Sequence, residues 1–554
     1  MPTIKLSGFS GIVPKLGATI LGENQAQIAN NVKLQSGELR SWRNAVLEYT
    51  PVSGSIKSIF KFSGPSGSTP VWLEFSQNTD IVVGPVADTS EYRLYYTSDT
   101  FRPRKTNWLL ATGNGGGSAP YPNAYYEMGV PAPTGAPIVN AAGTGTAPVE
   151  TRSYIYTHVT EFGVVAEESA PSPATTISAN YSGDSVTISG FSLPPTGNYN
   201  FMYRRIYRTV VGSNSASYQL VAEIPISSPS YTDTIAVTNL GVVLPSLYFT
   251  PPPNDLQGLV SMPNGMLAGF TGNQIWFCEP YLPHAWPSTY MLTTEYPIVG
   301  LGVFNNSLFV GTTKNPYLIS GSSPNMMSQE KLAINQPCAS KKSIASDQFG
   351  VLYASPNGLV AIGPGVQDVV TQPLLTRDEW QTINPTSMIG ALYNNMYFGF
   401  YKVGSTYNAY VIQRNDTPPL VNFSFPANAV FVEPGTGYLF TLSNTDNKVY
   451  RIDGATTNSV YNWKSKVFQS PQPSNFGVLQ VHADYAYMAA NSGSYINVKI
   501  YADGVERYSG NAISPNPVRL PGGYKGYNWE IEVSGNVPVR TVVLATTMTE
   551  IKEV

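Results

Sequence analysis

The stretch LVSMPNGMLAGFTGNQIWFCE, residues 259–279, contains the pattern on which the fold depends. An apolar segment is followed by an Asn-Gly turn, a second apolar segment, a polar gap and a third apolar segment. Asn-Gly between apolar segments is typical of a two-residue hairpin turn, because both central positions need a positive φ. The stretch therefore predicts three consecutive antiparallel strands.

The same pattern returns four times further along the chain. The later copies are LGVFNNSLFVGTTKNPYLISG (301–321), SIASDQFGVLYASPNGLVAIG (343–363), MIGALYNNMYFGFYKVGSTYNAYVIQ (388–413) and AVFVEPGTGYLFTLSNTDNKVYRIDG (429–454). Successive turn residues lie 41, 44, 45 and 42 positions apart: Gly265, Asn306, Gly350, Asn395 and Gly437. A repeat of about 40–45 residues with three or four strands is typical of a β-propeller blade. The alternative is an ordinary β-meander whose spacing is regular by accident.

The segments outside these five repeats complete the predicted organisation. Residues 55–110 show a similar order of strands and turns and predict a first blade, so that 255–464 hold blades two to six. Residues 111–254 begin with Gly/Pro-rich linkers and continue with short strand-like runs, which predict an inserted fibronectin-III or immunoglobulin-like sandwich. Residues 1–54 form an N-terminal segment with one short helix, predicted at ENQAQIANN (23–31), and 465–554 form a C-terminal β-domain. The predicted fold class is all-β, an irregular β-propeller of six blades with these additions.

Composition limits the functions that are open to the chain. Among 554 residues, 32 are Lys or Arg and 35 are Asp or Glu, which gives a net charge of −3. Charged residues make up 12%, against roughly 25% in an ordinary soluble domain. This balance argues against a dedicated nucleic-acid binder, which would be strongly basic. It also argues against an acidic disordered chain, since 42% of the residues are apolar.

Residues that carry catalytic chemistry are sparse. Cys278 and Cys338 cannot form a disulfide framework and predict two buried free thiols, with a single bridge as the alternative. His158, His284 and His482 fall in three predicted domains, so they do not predict a zinc site. Neither a GxSxG nucleophile elbow nor a phosphate-binding glycine loop with its lysine is present. The sequence therefore predicts no enzyme, no catalytic residues, no cofactor and no metal.

Basic residues show one mild asymmetry. Residues 1–61 hold seven basic and three acidic side chains, and a second basic cluster follows after residue 100. Basic side chains on one face can contact DNA or an acidic partner, although a solvated surface is the alternative. The candidate contact residues are Lys33, Arg40, Arg43, Arg102, Arg104 and Lys105.

Several stretches, taken in order, resemble the nozzle (tail tubular) proteins of short-tailed bacteriophages. The opening NQAQIANNVKLQSGELRSWRN (24–44) is similar to the start of those proteins, and RSYIYTHVTEFGVVAEESAPSP (152–173) is similar to their inserted sandwich. Similar features follow at IYRT (206–209), YQLVAEIP (218–225), SYTD (230–233), GLVSMPNGMLAGF (258–270) and the junction at 463–481. Each motif alone is weakly specific, and the resemblance rests on their order over most of the chain.

The resemblance implies a virion component of the phage tail. Its copies would form a homohexameric ring below the portal and adaptor proteins, with a channel that conducts double-stranded DNA during ejection and flanks that help attach fibres or spikes. It also implies synthesis in the host cytoplasm; the sequence shows no signal-peptide core and no apolar run of membrane-spanning length. The family offers no catalytic residues to transfer to this chain.

The residues fit a DNA conduit independently of the resemblance. Every phosphate that a protein neutralises adds affinity through counterion release, so a sparsely charged wall lets DNA slide. The first alternative is a host-receptor or glycan-binding propeller, which would repeat Trp or Tyr at equivalent blade positions. Trp276 has no such counterparts, since Leu318 and Val360 hold the matching positions. The second alternative is a glycan-degrading enzyme with a carboxylate pair.

Overall fold

The computed structural model describes residues 3–86, 91–142, 149–180, 185–209, 217–414 and 419–551. The chain divides into two compact units. The first unit comprises the described residues of 1–59, 311–316 and 332–554, and the second those of 60–310 and 317–331.

Short strands dominate both units. The strands up to residue 127 are β1 (Thr3–Ser7), β2 (Ala26–Asn30), β3 (Val32–Lys33), β4 (Arg40–Ser41), β5 (Val46–Tyr49), β6 (Ser58–Phe62), β7 (Val71–Phe75), β8 (Thr79–Val83), β9 (Leu94–Ser98), β10 (Arg104–Thr106) and β11 (Tyr126–Glu127). Those of the next hundred residues are β12 (Ile138–Ala142), β13 (Val149–Phe162), β14 (Val165–Glu168), β15 (Thr175–Asn180), β16 (Ser185–Ser189), β17 (Phe201–Thr209), β18 (Tyr218–Pro225) and β19 (Ser230–Asp233).

The region of the five repeats is equally rich in strands. Its first half contains β20 (Gln257–Ser261), β21 (Leu267–Thr271), β22 (Gln274–Phe277), β23 (Leu292–Thr293), β24 (Ile298–Phe304), β25 (Ser307–Thr312), β26 (Tyr317–Ser320) and β27 (Ser328–Lys331). Its second half contains β28 (Ala345–Asp347), β29 (Gly350–Ser355), β30 (Gly358–Gly363), β31 (Val366–Val369), β32 (Ile389–Tyr393), β33 (Met396–Val403), β34 (Thr406–Gln413), β35 (Leu420–Phe423), β36 (Ala427–Val432), β37 (Leu439–Ser443) and β38 (Val449–Arg451).

The remaining strands and the helices are short. The strands are β39 (Tyr461–Ser465), β40 (Phe468–Ser474), β41 (Val478–Ala483), β42 (Ile496–Ala502), β43 (Val505–Asn511), β44 (Val518–Arg519), β45 (Gly526–Gly535) and β46 (Val539–Ala545). The α-helices are α1 (Trp108–Ala111), α2 (Arg377–Thr382), α3 (Tyr485–Ala490) and α4 (Met548–Ile551).

Each of the five repeats forms an antiparallel sheet whose strands follow chain order. The sheets are β20–β23, β24–β27, β28–β31, β32–β35 and β36–β38, and the fourth continues into a larger sheet. Several of the turns lie in the positive-φ region that the sequence requires, as at Asn264, Asn305, Asn394 and Gly437. The predicted fold class, an all-β irregular propeller with further β-domains, is confirmed.

The N-terminal segment supplies strands to sheets formed by the end of the chain. β5 pairs with β38 and completes the four-stranded sheet of the fifth repeat, β1 pairs with β46, and β2 pairs with β39. All of these strands belong to the first unit. Its main core includes Trp380, Trp463 and Trp529, which are almost fully buried.

The predicted helix at 23–31 is wrong, since Ala26–Asn30 is strand β2. Ala29 lies opposite Trp463 of β39, and Asn30 also pairs with Asn422 of the parallel strand β35. Ala26 and Ala29 are buried. The weak helical preference of the Gln-Ala-Gln run is overridden because non-local pairing satisfies this backbone on both sides.

The strands predicted for the first blade lie in two sheets. β6 and β7 form a two-stranded sheet, whereas β8 to β11 form a four-stranded sheet that reaches Glu127. The sequence pattern identified strands and turns here, but not which strands pair.

The insert in the second unit is a sandwich. One sheet has the order β12-β16-β19, and the other contains β14, β13, β17 and β18, with β15 also paired to β13. Their facing side chains form one buried cluster that includes Tyr154, Tyr156, Val186, Ile188 and Ile206. The alternating pattern of these strands produces this arrangement, because every second side chain points to the facing sheet.

Candidate functional site

The candidate basic residues form two groups, one in each unit. Lys33 on β3 and Arg40 on β4 lie directly opposite each other in a short hairpin. The Lys33 ammonium forms an ion pair with Asp453 and lies 4.4 Å from the centre of the Trp42 ring. Asp453 also accepts a hydrogen bond of 2.7 Å from the backbone N–H of Arg43. One carboxylate therefore fixes the hairpin and neutralises Lys33.

Arg40 and Arg43 differ in how their charges are compensated. An Arg40 guanidinium nitrogen lies 2.7 Å from Glu38, whose other carboxylate oxygen is 3.4 Å from Arg540. The side chain of Arg40 is 53% exposed. Arg43 is exposed and has no ion pair among the residues that the structure describes. Arg43 is thus the main uncompensated cation of the first group.

The second group surrounds the start of β10. Arg102 lies 3.2 Å from Glu127 and its side chain is 50% exposed. The Arg104 guanidinium lies between two aromatic rings, 4.1 Å from the centre of Phe101 and 3.9 Å from that of Tyr125. Stacking of this kind holds a guanidinium by its planar faces. Arg102 is paired, and Arg104 is positioned by packing.

Lys105 is not a surface contact residue, which corrects the sequence-based prediction for this position. Its side chain is only 2% exposed, and its ammonium forms an ion pair with Glu167, which is 3% exposed. Burial, the largest single cause, would raise the pKa of Glu167, but Lys105, His284 and Arg93 together outweigh it and the pKa is lowered. Burial is the main cause that lowers the pKa of the neighbouring His284 below its ordinary value. Lys105 therefore connects β10 to β14 inside the second unit and is not available to DNA.

Sequence reasoning found the basic side chains but missed most of their partners. The pair of Arg40 with Glu38 could be expected from the sequence, because Glu38 lies only two residues before Arg40. Asp453 is 420 positions from Lys33, and Glu167 is 62 positions from Lys105. Pairings over such distances depend on the fold and leave no trace in spacing.

Side chains of the kind that support catalysis or bind metals are dispersed or buried. Within the described ranges, no group of three or more His, Cys, Asp or Glu side chains is placed to hold a metal ion. Cys278 and Cys338 are free and buried, which confirms the prediction of two buried thiols. His158 is fully buried, and its Nδ1 lies 3.1 Å from the carbonyl oxygen of Pro131. Among the described helices, none has both the length and the apolar character needed to span a membrane.

Comparisons with known proteins give no family. No family model matches the sequence, and no curated protein matches it. Among solved structures, BamB from Moraxella catarrhalis is 10% identical over 75% of this chain and 99% of its own, with a TM-score of 0.30. The N-terminal domain of Nup159 is 9% identical over 44% of this chain and 86% of its own, with a TM-score of 0.23. Likenesses this low carry no argument about function.

Proposed function

We propose that the chain is a structural subunit of a phage tail nozzle, with no enzymatic activity and no cofactor. Its copies would form a homohexameric ring in the virion tail, bind the portal or adaptor at one face, carry fibres or spikes, and conduct genomic DNA through the channel. The order of the motifs shared with nozzle proteins supports this assignment, and the β-propeller fold is compatible with it.

One observation about charge carries the proposal. Of the five candidate cations that are not buried, Lys33, Arg40 and Arg102 are paired with carboxylates of the same chain, and the sixth candidate, Lys105, lies inside the second unit. A paired cation releases few counterions when DNA approaches, because its charge is already balanced. This arrangement suits a surface along which DNA passes without being held.

Electron microscopy tests the assembly directly. Negative-stain images of the purified protein and of the native particle should show sixfold rings with a central opening. The proposal fails if both preparations contain only particles without a ring.

DNA binding tests the charge argument. Wild-type rings should bind double-stranded DNA weakly, with a shallow dependence on salt. Glu127→Gln would release Arg102 from its carboxylate, and Glu38→Gln would release both Arg40 and Arg540. Where a released arginine faces the channel, the slope of log K against log salt should steepen by about 0.9 for each additional phosphate that is neutralised.

A matched control removes a carboxylate elsewhere. Glu506 pairs with Lys499 at 3.2 Å, and both side chains are partly exposed. Glu506→Gln makes the same change in net charge. If this control and both arginine-releasing variants strengthen DNA binding equally, total charge is responsible and local pairing is not. Tight, salt-sensitive binding by wild-type rings would also contradict the proposal.

A further inference from the structure

A cleft in the first unit lies beside the sheet of the fifth repeat. Its volume is about 380 Å³, which is within the range of small-molecule sites, about 300–1,000 Å³. Three separate segments line it: residues 44–45 just before β5, residues 424–426 between β35 and β36, and residues 441–446 at the end of β37. Tyr450 of β38 also contributes. The cleft therefore exists only once the N-terminal strand has joined the last repeat.

The lining combines aromatic rings with uncharged hydrogen-bonding groups. Phe425 and Tyr450 are half-buried rings, and the polar lining includes the amides of Asn44 and Asn444. Asp446 carries the one formal charge among the lining residues that the structure describes. Rings can pack on the C–H face of a pyranose, while amides, hydroxyls and a carboxylate can bond its hydroxyl groups.

The carboxylate of Asp446 is held in place. The Tyr450 hydroxyl donates a hydrogen bond of 2.6 Å to its Oδ2. That bond is the main reason that the pKa of Asp446 is lowered. Asp446 therefore remains an ionised acceptor near neutral pH, and it is oriented before any ligand arrives. Lys448 lies 3.8 Å away and partly balances the charge.

Asn444 has an unsatisfied polar atom at this cleft. Its side-chain oxygen is shielded from water and has no hydrogen-bond partner among the described residues. A buried acceptor without a partner is costly and rare in native structures. Asn444 is one of the lining residues, so a ligand hydroxyl that reached this oxygen would remove the deficit.

We infer that this cleft binds a neutral saccharide unit. An anionic sugar would meet Asp446 with no unpaired cation on the lining to offset the repulsion. A purely apolar ligand would leave the side-chain oxygen of Asn444 without a partner. The inference goes beyond the proposed function and does not depend on ring formation, since all the lining residues belong to the first unit. The competing interpretation is that the polar groups of residues 443–448 form hydrogen bonds only within their own hairpin turn and bind no ligand.

Ligand-observed saturation-transfer NMR on the full-length chain tests the inference. The probes are glucose, galactose, N-acetylglucosamine and rhamnose at millimolar concentration, with glucuronate as the anionic comparator. At least one neutral sugar should receive saturation. Asp446→Asn and Tyr450→Ala should each weaken its binding by about tenfold or more, because each removes an oriented hydrogen bond or a ring surface.

A matched control replaces a tyrosine outside the cleft. Tyr248 is 65% exposed in the second unit, and Tyr248→Ala should leave binding unchanged. Asp446→Asn is nearly isosteric, so an unchanged unfolding midpoint separates loss of binding from loss of folding. The inference is overturned if no neutral sugar binds, if binding survives both cleft substitutions, or if glucuronate binds equally well with the same dependence on these substitutions. If electron microscopy shows no rings but the neutral sugar still binds, the proposed function is rejected and the saccharide inference stands.

Discussion

Replacing Lys105 by methionine should loosen the second unit where β10 meets β14. The ammonium of Lys105 and the carboxylate of Glu167 are both almost completely buried, and each is the other's main counterion. Lys105→Met keeps the bulk of the side chain but leaves the carboxylate buried without a cation. Breaking a buried pair from one side costs about 3–5 kcal/mol. That cost corresponds to a local opening constant raised by about 150- to 5,000-fold.

Hydrogen exchange read by mass spectrometry measures this opening locally. Peptides that cover residues 104–106 and 165–168 should exchange faster in Lys105→Met, whereas peptides from the first unit should not change. A local readout is preferable to a single unfolding free energy, since a chain with two units need not unfold in one step. Arg102→Ala is the matched control, because its pair with Glu127 is half-exposed and such pairs contribute about 0–1 kcal/mol.

The double variant decides whether the unpaired charge is the cause. Lys105→Met with Glu167→Leu removes both charges and should recover most of the lost protection, because apolar replacement of a buried pair is often neutral or stabilising. If the double variant exchanges as fast as Lys105→Met, the reasoning is wrong and packing explains the effect. The pKa of Glu167 is lowered on folding, so the pair should stabilise the unit above pH 4.5 and lose that effect as the pH falls below it.

Three further predictions concern buried side chains. Trp42 is 1% exposed and packs edge-to-face on Phe398, so Trp42→Ala should cost about 3–5 kcal/mol in chemical denaturation. Burial is the main cause that lowers the pKa of His158 from 6.5 to about 4. Because the unfolded chain binds the proton at a higher pH than the folded chain, the stability of the sandwich should fall by about 3 kcal/mol between pH 6.5 and pH 4. Thermal scans of His158→Gln should not show this pH dependence. Burial raises the pKa of the Cys278 and Cys338 thiols to about 12, so an aromatic disulfide reagent should titrate both in denaturant and neither quickly in the native chain.

The sequence predicted those parts of the fold that depend on local chemistry. The turns at Asn264 and Asn394 need a positive φ, and asparagine adopts that conformation at little cost, so the repeat is visible without any knowledge of packing. The sandwich was visible for a similar reason, since its strands are short runs of residues that favour β-structure and are separated by turn residues. The helix predicted at 23–31 failed because β2 owes its conformation to strands more than 390 residues away, and local propensity carries no information about them.

The candidate site divides in the same way. The sequence shows that Lys33, Arg40 and Arg102 are positively charged. It does not show which carboxylates pair with them, because most of those carboxylates are distant in the chain. Lys105 shows the limit most clearly. In sequence it is one of three neighbouring cations, and only the position of Glu167 turns it from a surface contact into an internal pair. The saccharide cleft has the same origin, since residues 44, 425 and 450 meet only in the folded unit.

The pairing of the N-terminal strands also determines when the first unit can form. β1, β2 and β5 take as their partners β46, β39 and β38, all of which come from the last 110 or so residues of the chain. Such contacts have very high sequence separation, and we expect them to form late, because loop entropy must be lost before the strands can pair. The second unit consists mainly of one continuous segment, residues 60–310, and all of it precedes β39 and β46 in the chain. The order of synthesis therefore favours a chain whose insert and early repeats fold first, and whose final sheet, with the cleft beside it, closes only when both ends of the chain are present.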